Sequence, residues 1–262
     1  MTSEWRDKWA LVTGASAGIG KALATELAAG GTHLVLTARR RDRLEELAKQ
    51  LRSKHKINVQ VFEADLAKPS ALEEIFQFTK EKGLAIELLV NNAGFGQYGE
   101  LTSVEPQRLL DMVQVNCSAV LHLTRLYLPE MIARRSGDVL IVASTASFQA
   151  VPYISTYAAT KVFDLFLAEG LAEEMKPYGV RVCALCPGTT ESEFHELAGH
   201  AEHARRKSET AEKVAKTGLR ALAGGKSYVI SGLGNYLGAH GERLVPRRFV
   251  TRIAASLFRP RK

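Results

Sequence analysis

Residues 9–28 read WALVTGASAGIGKALATELA and join an apolar run to a glycine-rich turn and then to a helix-forming segment. Residues 9–13 are apolar in nearly consecutive positions, which is typical of a strand buried on both faces. The turn holds Gly14, Gly18 and Gly20 in the spacing G-x-x-x-G-x-G. Glycines let the backbone turn tightly and approach a pyrophosphate, whose charge is stabilised at the amino end of a helix. The stretch therefore predicts a strand, a phosphate-binding turn and a helix.

The same alternation of short apolar runs and longer amphipathic segments continues along the chain. The gaps between the first six runs are long enough for a helix, so the runs predict parallel strands connected by helices. No Pro-, Gly- or Ser-rich linker divides the 262 residues. We expect one α/β domain over residues 1–262, a doubly wound parallel seven-stranded sheet with helices on both faces, its strands at Trp9–Thr13, His33–Ala38, Asn58–Glu63, Glu87–Asn91, Asp138–Ser144, Val180–Cys186 and Ser227–Ser231.

The end of the second predicted strand indicates which dinucleotide fits. An acidic residue there would accept a hydrogen bond from a ribose 2′-hydroxyl, whereas an arginine would pair with a 2′-phosphate. Ala38 stands at that position, and Arg39, Arg40 and Arg41 follow it. Guanidinium groups suit phosphate because they donate paired hydrogen bonds. The sequence therefore favours NADP(H) over NAD(H), with Arg39 and Arg40 at the phosphate and Arg41 as a solvated start to the next helix.

A second group of residues lies on a helix predicted over residues 153–177. Tyr157 and Lys161 are four positions apart and share one face of it, and Ser144 precedes the tyrosine at the end of the fifth predicted strand. A nearby ammonium favours the phenolate and lowers a tyrosine pKa that starts at about 10. A Tyr and a Lys at this spacing also occur by chance on helices, so the pair alone does not indicate a catalytic site. The motifs around it support that interpretation.

Together these motifs resemble the short-chain dehydrogenase/reductase family, in the form with a T-G-x-x-x-G-I-G turn and a Y-x-x-x-K pair. The resemblance runs from Thr13 to about Gly232. It includes, in the expected order, Asp65-Leu66, Asn91-Asn92-Ala93-Gly94, Asn116, Ser144, Tyr157, Lys161 and Pro187-Gly188. The resemblance implies a Rossmann-type fold, and with the motifs above it implies a cofactor site formed by Gly14, Ser16, Gly18, Ile19, Gly20, Arg39, Arg40, Asp65, Leu66, Asn91, Ala93, Gly94, Tyr157, Lys161, Pro187, Gly188 and Ser192.

The resemblance also implies four catalytic residues. Ser144 would hydrogen-bond the substrate oxygen, and Tyr157 would donate or accept the proton. Lys161 would hold the ribose hydroxyls and lower the pKa of the tyrosine, and Asn116 would anchor a water beside the lysine. We therefore expect an NADPH-dependent oxidoreductase that reduces a ketone or aldehyde to an alcohol.

The sequence does not identify the substrate, and it leaves two alternative functions. The pair Phe95-Gly96 resembles a branch of the family that includes reductases of bulky or lipid-like ketones. One alternative is a nucleotide-sensing or scaffold protein that kept the fold without turnover. Another is a lyase or isomerase that uses a tightly bound cofactor as a transient oxidant.

The cysteines and histidines do not indicate a redox or metal site. Cys183 and Cys186 lie in a predicted strand, which would point them to opposite faces, so we interpret them as inert thiols. The histidines at 195, 200 and 203, with the glutamates at 196 and 202, match no strong ligand spacing and are interpreted as a solvated helix face. No metal is expected. The odd cysteine count, and the absence of a long apolar run or signal-peptide core, favour the cytoplasm.

Two segments interrupt or extend the alternation. Residues 188–224 follow the sixth strand and are interpreted as a substrate lid. Residues 243–262 hold seven Arg or Lys and no acid, and they account for the whole net charge of +7. They predict a basic amphipathic helix on which Phe249, Val250, Ile253 and Leu257 share a face.

The partners of this basic tail are left as alternatives. The apolar face can pack on the protein or on a second subunit, or it can lie on an anionic membrane surface as a peripheral contact. Nucleic acid is not expected, because the charge lacks interleaved aromatics and a basic stripe. Many tetrameric family members end in Asp-Gly-Gly after the last strand, where this chain has Ser231-Gly232-Leu233-Gly234-Asn235, so a homodimer is expected over a tetramer.

Overall fold

The computed structural model describes residues 3–194, 198–199 and 208–259. The strands of this part of the chain are β1 (Trp9–Thr13), β2 (His33–Ala38), β3 (Val59–Glu63), β4 (Ile86–Asn91), β5 (Gly137–Val142), β6 (Val180–Cys186) and β7 (Tyr228–Ile230). They form one sheet in the order β3-β2-β1-β4-β5-β6-β7. Every neighbouring pair is parallel. The predicted doubly wound seven-stranded sheet is confirmed.

The described helices are α1 (Gly18–Ala29), α2 (Arg41–His55), α3 (Ser70–Glu81), α4 (Pro106–Val113), α5 (Ala119–Ala133), α6 (Ser155–Met175), α7 (Ala211–Ala223), α8 (Leu233–Gly241) and α9 (Arg247–Phe258). A π-helical segment, Gln114–Ser118, joins α4 to α5. Such segments are rare and are frequently found at functional sites. Asn116 lies in this widened turn. No helix in the described part of the chain is long and apolar enough to cross a bilayer.

The core is divided between the two faces of the sheet. Helices α1, α2 and α7 cover one face, where Leu23, Leu44 and Val214 are fully buried. Helices α3, α5 and α6 cover the other, with residues such as Ile75 and Leu123. Because strand residues alternate in direction, consecutive apolar positions supply both cores.

The two cysteines of β6 follow this alternation. Cys183 belongs to the core on one face of the sheet and Cys186 to the core on the other. Burial raises the pKa of Cys183 to about 12 and also raises the pKa of Cys186. Both thiols are free and buried, and their predicted placement on opposite faces of the sheet is confirmed. That they are inert stays a prediction.

The carboxyl ends of β1 and β4 are held together at the point where the strand order reverses. The hydroxyl of Thr13 accepts hydrogen bonds from the backbone N–H groups of Asn92 and Ala93, each at 2.9 Å. In return, Nδ2 of Asn92 donates to the carbonyl oxygen of Thr13 at 2.8 Å. Ligands of open α/β sheets bind in the crevice at this switch point.

The predicted lid and tail are only partly separate from this core. Helix α7, inside the predicted lid at 188–224, buries Val214, Ala215 and Leu219 in the core. The histidines at 195, 200 and 203 and the glutamates at 196 and 202 lie outside the described residues. In the predicted tail, α9 packs through Ala254 and Phe258 on Val151 and Ala158.

Candidate active site

A cavity of about 570 Å³ lies over the carboxyl ends of the central strands. The loops that follow β1, β2, β3, β4, β5 and β6 all contribute to its walls. Most of the residues predicted for the cofactor and for catalysis line it: Gly14, Ser16, Gly18, Ile19, Gly20, Arg39, Arg40, Asp65, Leu66, Ala93, Gly94, Ser144, Tyr157, Lys161, Pro187, Gly188 and Ser192. Two predicted residues, Asn91 and Asn116, do not line it.

The glycine-rich turn leaves room for a diphosphate at the amino end of α1. Gly18 has a φ of +53°, and a Cβ placed there would lie 3.1 Å from Cβ of Ser192. A Cβ on Gly20 would lie 2.4 Å from the carbonyl oxygen of Gly14, so only glycine fits between the turn and the helix. The N-cap residue, Ala17, makes no side-chain cap, and the first turn of α1 contains no acid. This end of the helix therefore suits an anionic ligand.

A cluster of cations stands at the end of β2, where the cofactor phosphate was predicted. Arg40 donates to the hydroxyl of Ser16 from Nη2 at 3.1 Å and to Glu193 from Nη1 at 2.7 Å. Arg43 donates to the other oxygen of Glu193 at 2.6 Å. The two guanidinium groups lower the pKa of Glu193 chiefly through these hydrogen bonds. A carboxylate from the segment after β6 thus lies between two arginines in the way a phosphate group would.

The predicted tyrosine, lysine and serine meet at the floor of the cavity. Ser144 begins the turn after β5, two residues beyond the end of the strand, and it lies close enough to Tyr157 to lower the pKa of the phenol. The ammonium of Lys161 lies 5.9 Å from the centre of the Tyr157 ring. Lys161 also donates to the carbonyl oxygen of Val142 at 2.8 Å, which fixes it against β5.

The direction of the tyrosine pKa differs from the sequence prediction. Burial raises the pKa of Tyr157 above its ordinary value, and the opposing effects of Lys161 and Ser144 do not overcome it. The carboxylate of Asp164 raises the pKa further. The predicted lowering of the tyrosine pKa by Lys161 is present, but burial outweighs it and the net direction is upward. Tyr157 holds its proton here, which suits a proton donor.

Asp164, which the sequence analysis did not consider, completes this group. It follows Lys161 by three positions on α6, its Oδ2 lies 2.8 Å from Nζ of Lys161, and its side chain has no exposed surface. Burial by itself lowers the pKa of Lys161, but Asp164 raises it, so the lysine stays a cation. An aspartate on the buried face of a helix, one turn from a lysine, is the signal that could have found it.

The comparison with known proteins identifies the family. Residues 8–203 match the protein family described as short chain dehydrogenase. This chain belongs to that family. Over 187 aligned residues it is 37% identical to a very-long-chain 3-oxoacyl-CoA reductase of Danio rerio. The alignment covers 69% of this chain and 58% of the relative. The chain thus spans less than two thirds of the length of that relative.

Solved structures of related proteins share the fold. A short-chain dehydrogenase from Sphingobium yanoikuyae in complex with NADPH is 29% identical, with a TM-score of 0.82 over 90% of this chain and 94% of the other. An alcohol dehydrogenase from Comamonas testosteroni, described as specific for bulky-bulky ketones, is 28% identical, with a TM-score of 0.78. The match covers 90% of this chain and 93% of the other. The present chain is an oxidoreductase of this family that acts on carbonyl or alcohol groups.

Two asparagines of this short-chain dehydrogenase lie behind the cavity wall. Asn91 is buried in β4 and donates to the hydroxyl of Thr124 at 2.9 Å. Asn116 accepts from the N–H of Phe95 at 3.1 Å and donates to its carbonyl oxygen and to Thr160, both at 3.0 Å. The side chain of Asn116 thereby ties the loop after β4 to α6. The water expected beside Lys161 stays a prediction.

Aromatic side chains from three segments form the outer part of the cavity. Phe194, after β6, packs on the Tyr157 ring with a centroid distance of 5.2 Å. Phe95 and Tyr98 line the wall after β4, and Phe258 at the end of α9 lines the cavity beside Tyr98. Tyr98 donates a hydrogen bond to the carbonyl oxygen of Phe258 at 2.8 Å. The tail helix therefore forms part of the cavity wall, which the sequence analysis did not predict.

Proposed function

We propose that this short-chain dehydrogenase uses NADPH to reduce the carbonyl group of a bulky or lipid-like ketone or aldehyde. The observation that carries the proposal is the position of Tyr157, which lines the cavity over the switch point together with Ser144 and lies close to Lys161. When bound, NADPH supplies the hydride that adds to the carbonyl carbon. The chain supplies the proton and the orientation.

Each polar residue has one task in this scheme. Ser144 and Tyr157 both donate hydrogen bonds to the substrate oxygen, which polarises the carbonyl. As charge develops on that oxygen, Tyr157 gives up its proton. The cation of Lys161 stabilises the phenolate that remains, because an ammonium within a few ångströms lowers the free energy of an anion in a buried site.

The preference for NADPH over NADH rests on the arginines after β2. The pair Arg40 and Arg43 already holds the carboxylate of Glu193, and Arg39 lines the same cavity. Neither Ala38 nor the residues that follow it in that loop offer an acid to a ribose 2′-hydroxyl. Bound NADPH in the related Sphingobium yanoikuyae structure supports the same choice.

The substrate class rests on the apolar outer cavity. Phe95, Tyr98, Phe194 and Phe258 surround the approach to Tyr157, and such walls bind substrates by burying apolar surface. The descriptions of the Danio rerio and Comamonas testosteroni proteins support a long or bulky carbonyl compound. We also propose a cytoplasmic location, as the free cysteines led us to expect.

A homodimer is proposed over a tetramer. Leu121 on α5 and Phe166 on α6 are exposed to 47% and 66%, which suits burial in a subunit interface. After β7 the chain continues into α8 instead of ending in the Asp-Gly-Gly of many tetrameric members. Light scattering should give the mass of two chains, and Phe166→Glu should reduce it to one.

The test of the function is a series of ketones and aldehydes of rising chain length, read by the absorbance of NADPH. We expect one NADPH oxidised per carbonyl reduced and a KM that falls as the chain lengthens. Binding of NADPH without turnover of any substrate would favour the sensing or scaffold alternative. Product formation without net NADPH oxidation would favour the lyase or isomerase alternative.

A further inference from the structure

Helix α9 has two apolar faces, and only one of them is covered by the protein. Val250, Ala254 and Phe258 turn inward, and Ala254 and Phe258 pack on the cluster around Val151. Phe249, Ile253 and Leu257 follow one another at four-residue spacing on the outward side. The sequence analysis placed Val250 with this second group, but the structure puts Val250 on the half-buried side.

The outward stripe is unusually exposed for side chains of its type. Ile253 is 59% exposed and Leu257 is 51% exposed. Just before the helix, Leu244 is 89% exposed. Soluble proteins rarely leave aligned apolar side chains in water unless another surface covers them, because each forfeits the free energy of burial.

A stripe of arginines runs beside the apolar one. Arg248 and Arg252 are exposed and lie one turn apart on the helix surface, and the exposed Arg259 directly follows the last residue of the helix. Within the described residues, none of these arginines, nor Arg247, takes part in an ion pair. Arg248 lies over the ring of Phe249 at 5.1 Å, so cation and apolar surface are in direct contact.

The charge pattern decides which partner fits this face. Residues 243–259 contain no acidic side chain. A second copy that presented the same face would therefore set arginines against arginines, since a two-fold interface joins identical patches. A surface with anionic groups above an apolar layer complements both stripes at once, and an anionic lipid membrane has that order.

We propose that the outward face of α9, formed by Phe249, Ile253 and Leu257 with Arg248, Arg252 and Arg259, docks the enzyme on an anionic lipid surface. The helix that carries this face also borders the cavity, because Phe258 on its inner side lines the cavity. Docking would therefore bring the cavity wall close to the lipid. The surface binding stands independently of the proposed reaction.

The experiment measures co-sedimentation of the full chain with vesicles. We expect binding to phosphatidylcholine vesicles that contain about one third phosphatidylglycerol and little binding to phosphatidylcholine alone. The variant Arg248→Glu/Arg252→Glu should weaken binding by roughly 25-fold or more, since each arginine near an anionic surface contributes about fivefold. High salt should weaken it in the same direction.

The variant Ile253→Asp/Leu257→Asp tests the apolar stripe and should also abolish binding. The matched charge control is Lys49→Glu/Lys54→Glu on the exposed side of α2, which should bind like the parent chain. Circular dichroism and NADPH oxidation with a small water-soluble ketone verify that each variant is folded.

Three results would overturn the proposal. The first is absence of binding to anionic vesicles by the parent chain. The second is equal loss of binding in the α2 control, which would show that net charge alone is responsible. The third is a loss of dimer mass in Ile253→Asp/Leu257→Asp without any vesicle binding by the parent chain, which would assign the face to a second copy.

Discussion

The ammonium of Lys161 and the carboxylate of Asp164 form an ion pair of 2.8 Å in which the lysine side chain is 6% exposed and the aspartate not at all. Among the described residues, the second oxygen of Asp164 has no hydrogen-bond partner. Burying two charges is costly unless each compensates the other, so this pair is expected to serve the position and charge of Lys161 more than the stability of the fold.

The first prediction concerns the pH dependence that Asp164 imposes. The carboxylate raises the pKa of both Tyr157 and Lys161. Its removal in Asp164→Asn lowers both, and reduction requires the tyrosine proton, so the alkaline limb of kcat/KM should move to lower pH. The measurement is the pH profile of ketone reduction.

The same helix supplies the control for this variant. Glu173 pairs with Lys176 at the same i,i+3 spacing, at 3.6 Å, but both side chains are more than 70% exposed. Glu173→Gln should leave the profile unchanged. A lower kcat in Asp164→Asn with an unmoved alkaline limb would mean that Asp164 is merely structural.

The second prediction tests the proton donor. Tyr157→Phe removes the hydroxyl proposed as the proton donor and should lower kcat by about 100-fold or more, the range of general acid catalysis. NADPH binding, followed by fluorescence, should change little, because the ring and its packing on Phe194 remain. Tyr178→Phe, at a tyrosine that is 41% exposed, is the control. Substantial activity in Tyr157→Phe would refute the assigned role.

The third prediction concerns cofactor choice. Arg40→Ala removes one of the guanidinium groups at the end of β2 and should weaken NADPH binding by roughly 10-fold or more, the usual effect of losing a charge-assisted hydrogen bond. NADH binding should be unaffected. Arg41→Ala is the neighbouring control, since Arg41 makes only a 3.9 Å pair with Glu45.

Removing the carboxylate of Glu193, which is bound to the same arginines, should have the opposite effect on NADPH binding. Glu193 holds Arg40 and Arg43 at 2.7 and 2.6 Å and would compete with a 2′-phosphate for them. Glu193→Gln should therefore tighten NADPH binding and leave NADH binding unaltered, as measured by titration. Equal changes for both cofactors would show that the arginines do not meet the phosphate.

The fourth prediction concerns the aromatic wall of the cavity. A Cβ on Gly96 would lie 2.8 Å from Cζ of Phe194 and 3.5 Å from Cδ2 of Tyr157. Gly96→Ala should displace the Phe194 ring and raise the KM for large ketones by roughly 10-fold, while the Tm changes little. Gly234→Ala, where a Cβ would meet nothing within 4 Å, should alter neither quantity.

The fifth prediction concerns stability far from the site. Asp138, buried at the start of β5, accepts from the indole of Trp5 at 2.7 Å and from Arg181 at 2.6 and 2.9 Å. Asp138→Ala removes the acceptor that Trp5 and Arg181 share and should lower the free energy of unfolding by about 2–3 kcal/mol, because Arg181 keeps its ion pair with Glu4. Urea denaturation measures the loss, and the exposed Glu174→Ala should cause almost none.

The predicted parts of the molecule are those encoded by neighbouring residues. The apolar runs and the glycine spacing at residues 14–20 led to the parallel sheet and to the phosphate turn, because strand direction and tight turns depend on a few consecutive residues. The four-residue spacing of Tyr157 and Lys161 placed both on one face of α6 in the same way. The place of the arginines after β2 could be predicted once the end of that strand was known.

Other features depended on packing between distant segments. The sequence did not show that Glu193 would reach Arg40, some 153 positions away, or that Phe258 would enter the substrate side. It also did not show which face of α9 the protein would cover. Such contacts depend on how whole elements pack, and local periodicity carries no information about them.

The amino-acid pattern alone thus determined the sheet, and it supplied the glycine turn and the residues proposed for the chemistry, because backbone geometry and helical spacing are local properties. Only the tertiary structure decided that Tyr157 keeps its proton and that Lys161 keeps its charge, because a pKa depends on burial and on every charge nearby. The effect of Asp164 on these pKa values also depends on the fold. The folded core removes water from around Asp164 and leaves Lys161 as the cation that compensates its charge.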